Sequence, residues 1–133
     1  MHMAPGAARR IAALMFFVAA TLVVASVAHL SGHVHGRSAP FDPEDAGVAE
    51  AIIAAVLATG AATVLRASAR ARTVGIATTG FAIVGFFVGL RFTTQGGHAP
   101  DIAYHVTVLP VLIVILVALL RADRRLSPAA ATD

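Results

Sequence analysis

Six histidines and seven carboxylates are the residues of this 133-residue chain best equipped for chemistry. His29, His33, His35, His98 and His105 fall near the ends of long apolar runs, as do Asp42, Glu44, Asp45, Glu50 and Asp101. Imidazole with carboxylate suits Zn, Cu(II) or non-haem Fe, and the absence of cysteine disfavours a soft Cu(I) site. The donor set read from the sequence is His29, His33, Glu50, His98 and His105. Two histidines on facing helices, His29 or His33 with His105, are the pair that a haem would need. His29 and His33 are four apart and share a helix face if the first helix continues past Leu30. Asp101 and His105 have the same spacing, so Asp101 is expected to orient the His105 ring from behind. Simpler roles stand beside these: His33 and His35 as solvated loop residues, the three acids 42, 44 and 45 as helix-start charges, and Glu50 as an interfacial partner of Arg91. No catalytic set is legible, because the chain has no HExxH, nucleophile elbow, nucleotide loop or kinase motif.

The elements that must position these groups follow from composition. Hydrophobic residues make up 58% of the chain, charged residues 13%, and mean hydropathy is +0.82. A soluble domain of this size carries about twice that charge. Four runs, Ile11–Leu30, Gly47–Leu65, Thr73–Leu90 and Ile102–Leu120, match the ~20 residues that cross a bilayer core. With flanking caps they define spans of about 11–30, 43–66, 73–92 and 101–121. Backbone groups in lipid must be paired internally, so the expected class is all-α, an integral membrane four-helix bundle in a single domain. Arg9-Arg10, an apolar core and Ser26-Val27-Ala28 also imitate a secretory signal, but the apolar run reaches Leu30 and an uncleaved helix is expected.

Arginine placement orients the bundle. Arg9, Arg10, Arg66, Arg70, Arg72, Arg121, Arg124 and Arg125 share one side, with only Arg37 and Arg91 opposite. Positive-inside bias then gives up-down-up-down order with both termini cytoplasmic, in a multi-pass protein of the cell inner (plasma) membrane. His2, Asp123 and Asp133 go to the cytoplasmic side, and the histidine and carboxylate cluster to the outer side. The three methionines, Met1, Met3 and Met15, lie away from that cluster. Asp42 with Pro43, and Pro100 with Asp101, read as helix starts, and Pro110 as a bend. Ala54, Ala58 and Ala61 form one stripe with Glu50, flanked by Ala51, Ala55 and Ala62. Gly75, Gly80, Gly85 and Gly89 line the third span, and such small residues let membrane helices approach closely.

Four spans with histidines near helix ends are similar to small four-helix membrane cytochromes, although those carry histidine pairs towards both faces and this chain has none on its inner side. The chain length and a membrane glutamate resemble the small multidrug transporters, whose glutamate lies in the first helix and whose substrate-stacking tryptophans have no counterpart here. The function expected is a membrane-embedded accessory, redox or metal-binding component, with a transition metal or haem at the cluster. The alternatives are a proton-coupled small transporter and a structural subunit or assembly factor. Partners are the lipid bilayer and either further copies or a larger membrane complex. The arginines lie between apolar runs and not on one face, so no nucleic acid is expected.

Overall fold

The computed structural model describes residues 4–122, and among these only helices and their connections occur. The four helices are α1 (Pro5–Leu30), α2 (Pro43–Leu65), α3 (Ala71–Gly96) and α4 (Ala99–Arg121). Each is long and apolar enough to cross a membrane, which marks a membrane protein. The expectations for His2, Met1, Met3, Asp123, Arg124, Arg125 and Asp133 lie outside the described residues.

Local chemistry sets the boundaries. Proline opens α1 and α2, where its missing N–H costs nothing. The α1 helix therefore begins six residues before its apolar run and takes in Arg9 and Arg10. Asp42 caps α2, its Oδ1 accepting from the N–H groups of Glu44 (2.8 Å) and Asp45 (3.3 Å). α1 stops at Leu30 because Gly32 takes a left-handed φ of +74°, and the His33 N–H then turns back to the Ala28 carbonyl at 3.0 Å. The α4 helix runs unbroken through Pro110.

Adjacent helices pack in sequence, α1 on α2, α2 on α3 and α3 on α4, and α1 also touches α4. The core holds Met15, Leu22, Leu57, Phe86, Leu112 and Ile115, all essentially inaccessible. Polar ties fix the helices at both ends. Ser26 Oγ donates to the Gly47 carbonyl at 2.7 Å, joining α1 to α2. Thr21 Oγ1 and the Tyr104 hydroxyl lie 3.0 Å apart, joining α1 to α4. Arg72 Nε, at the start of α3, donates to the Leu119 carbonyl at 3.1 Å and so satisfies the end of α4. The connection between α1 and α2 is pinned where the Arg37 N–H donates to the Gly96 carbonyl at 2.7 Å.

The small residues divide by face. Glu50, Ala54 and Ala61 are buried in one stripe, as their spacing implies, while Ala51 and Ala55 are exposed. Gly75 packs on Val64 and Leu119, and Gly85 on Ile53. Gly80 faces open space, contrary to the uniform packing role expected for the α3 glycines.

Candidate functional site

The site lies where the end of α1 meets the starts of α2 and α4. His29 is one residue from the end of α1 and only 6% exposed. Glu50 follows seven residues after Pro43, about 10 Å along α2, and is also 6% exposed. His29 Nδ1 stands 2.9 Å from Glu50 Oε2 and 3.1 Å from the Ala25 carbonyl. Both partners are acceptors, so Nδ1 carries a hydrogen and donates. That assignment leaves Nε2 to face Asp101 Oδ1 at 3.7 Å, beyond hydrogen-bond distance. His29 Nε2 is buried and has no hydrogen-bond partner. One imidazole is thus flanked by two carboxylates contributed by two other helices.

Two small features make this approach possible. A Cβ on Gly47 would stand 2.8 Å from Leu30 Cγ and 3.1 Å from His29 Cβ, so only glycine lets α1 come this close to α2. Ser26, one turn before His29, locks the crossing through its bond to Gly47. Neither residue stood out in the sequence, although a serine and a glycine beside an acid-bearing stripe are the signal that could have found them.

Asp101 takes a different part from the one its spacing suggests. Its Oδ2 accepts the His98 N–H at 3.5 Å at the start of α4, and its Oδ1 faces His29. The contact with His105 is made by the Asp101 backbone carbonyl, which accepts from Nδ1 at 2.8 Å, the bond open to any residue at that position. The His105 ring also packs on Phe86, with centroids 5.2 Å apart, and its Nε2 lies against Gly89.

The other candidates disperse. His33 is exposed in the connection after α1, with Nδ1 2.8 Å from Ser31 Oγ, so the expected His29–His33 helix face does not form. The physical reason is the Gly32 turn, which ends α1 before His33. His98 sits at the cap position of α4, and His35 is exposed. Glu50 pairs with His29, not with Arg91, which is exposed on α3. Among the described residues no group of three or more His, Asp or Glu side chains is arranged to hold a metal ion. Of the donors read from the sequence, His29, Glu50 and His105 lie on one cavity, whereas His33 is exposed and His98 caps α4.

His29, Glu50, Asp101 and His105 all line one cavity of about 450 Å³. Its remaining wall is mostly apolar and comes from α2 and α3, with Phe41 from the connection before α2. The fold and site together define a multi-span helical membrane protein with a buried imidazole between two carboxylates on a cavity wall. Comparison with protein-family models, with curated proteins and with solved structures finds no match to this chain.

Proposed function

We propose that this chain is a proton-coupled small transporter of the inner (plasma) membrane, with up-down-up-down helices, cytoplasmic termini and its polar site on the outer side. The observation that carries this reading is His29 Nε2, which is buried, unpartnered and 3.7 Å from the Asp101 carboxylate on a cavity wall. Protonation there puts a positive charge between two carboxylates, and its loss leaves two negative charges against a neutral ring. Occupancy by a proton and occupancy by a ligand then compete for the same space and the same charge. An ionisable group at membrane depth is costly to keep unless it works, and Glu50 and His29 both lie within spans.

The titratable groups that line the cavity with His29 come from two elements, α2 and α4. The start of α2 supplies Asp42, Asp45 and Glu50, and α4 supplies Asp101 and His105, while the α3 lining is apolar apart from Thr93. Histidine ordinarily titrates near ~6.5, so coupling is expected across the neutral range.

The test is transient current from the protein reconstituted on a solid-supported membrane. Amphiphilic amines, carboxylates and alcohols are added in turn at stepped pH. PH-dependent currents in the wild type that vanish in Glu50→Gln support transport. Absence of current with every class at every pH ends the reading.

A further inference from the structure

The cavity beside His29 opens between two helices, and its lining fixes the chemistry of what it takes. Four carboxylates line it, Asp42, Asp45, Glu50 and Asp101, with no arginine among the lining residues. Such a wall repels anions and concentrates cations. Phe41, Phe81, Phe86 and Phe92 supply aromatic faces to the same space, and aromatic faces attract organic cations.

The polar end is built for a hydrogen-bond donor. His29 donates from Nδ1 to Glu50 and Ala25, which leaves the neutral ring a bare acceptor at Nε2. Asp101 Oδ1 is a second acceptor 3.7 Å away. A buried, unpartnered acceptor facing a carboxylate oxygen is satisfied by one group with several N–H donors, and not by another acceptor.

The apolar end faces sideways. Val84 is 62% exposed and Val88 52%, on the outer surface of α3, and Ile52 flanks them from α2. These side chains line the cavity and also form the surface that meets hydrocarbon in a membrane. Gly85 and Gly89 line the same cavity without side chains of their own. An amphiphile lying in the bilayer can therefore enter along its own axis, head group inward.

We infer that the site binds lipophilic ammonium ions, amines with a hydrocarbon or aryl body, drawn laterally from the bilayer between α2 and α3. The ammonium bridges His29 Nε2 and Asp101 Oδ1 beside Glu50, and the apolar body lies along Val84 and Val88. The inference names the substrate class of the site proposed above and rests on that reading for the ligand's fate, while binding itself is tested alone.

The probes are octylammonium, octyltrimethylammonium, octanoate and octanol, labelled and equilibrated with the protein in phosphatidylcholine nanodiscs, with empty nanodiscs as background. Octylammonium is expected to bind best. Octyltrimethylammonium, which lacks N–H, is expected to bind about tenfold or more weakly than it, the scale of one charged hydrogen bond. Asp101→Asn and Glu50→Gln are each expected to lower octylammonium affinity by a similar factor. Val84→Trp, which fills the lipid-facing mouth, is expected to lower octylammonium binding and leave the fold intact, which keeps the test valid if a buried variant fails to elute as a folded protein. Equal binding of octanoate, or of octanol, overturns the cation assignment. PH-dependent currents from carboxylates or alcohols without octylammonium binding would end this inference and leave proton coupling standing. Octylammonium binding without any current would do the reverse.

Discussion

Gly47 meets His29 across the α1–α2 crossing so closely that a methyl group on Gly47 would stand 3.1 Å from His29 Cβ. The same methyl would be 2.8 Å from Leu30 Cγ, but Leu30 is half exposed and can swing aside. His29 cannot, because its ring is held by Ala25 and Glu50. Gly47→Ala should therefore lower stability by pressing α1 away from α2, and Gly47→Leu should force the helices further apart and separate His29 from Glu50. Melting temperature in detergent, read beside the ring nitrogen shifts of labelled His29, distinguishes a local rearrangement from unfolding.

The His29–Glu50 pair itself invites a double-mutant cycle. Removing either partner strands a buried polar group, so His29→Leu and Glu50→Leu should each cost about 2 kcal/mol. The double variant should cost clearly less than the sum, because neither stranded group remains. Unfolding in mixed micelles measures all three. Additive losses would mean that the 2.9 Å contact contributes nothing of its own.

Much of this arrangement is legible in the residues, and the limits have physical causes. Span number follows from hydrocarbon thickness, and α2 begins at Pro43 as its acids and proline imply. Glu50 points into the bundle because it shares a helical stripe with Ala54 and Ala61. Spacing puts His33 on the His29 face only if α1 continues past Leu30, and it does not show where a helix ends; Gly32 ends this one. The same spacing points Asp101 at His105, yet the backbone takes that bond and the side chain looks across to another helix. Contacts between helices depend on rotation about each helix axis, which no single periodicity contains.

Glycine positions test that rotation directly. A side chain at Gly75 would meet Val64 at 2.8 Å and Leu119 at 3.1 Å, both in the core, whereas one at Gly80 meets nothing within 4 Å. Gly75→Leu should lower the melting temperature strongly, by overpacking worth about 1–3 kcal/mol. Gly80→Leu should leave it unchanged or raise it, since glycine within a helix is itself a weak helix former. Equal losses at both would reject the rotation of α3 described above.

Membrane orientation is open to reporter fusions. The sidedness proposed from the arginine distribution puts the α1–α2 connection outside and the α2–α3 connection inside. A phosphatase fused within Ser38–Pro40 should be active and one at Ser68 inactive, with the reverse pattern for a fluorescent protein that matures only in the cytoplasm. Activity of both phosphatase fusions would remove the proposed sidedness, and with it the outer placement of the site.

Asp101 joins two tasks that substitution can separate. One oxygen caps α4 at the His98 N–H, and the other puts negative charge 3.7 Å from His29. Asparagine keeps an acceptor for the cap but loses the charge, while alanine loses both. Asp101→Ala should therefore cost about 1 kcal/mol of stability, the usual worth of a lost cap, and Asp101→Asn only a few tenths. Both should change the titration of His29 alike, because each removes the same charge. Ring nitrogen shifts followed from pH 5 to 8, together with melting temperatures, read the two effects independently. If Asn and Ala moved the titration unequally, the influence of Asp101 on His29 would pass through the helix start and not through its charge.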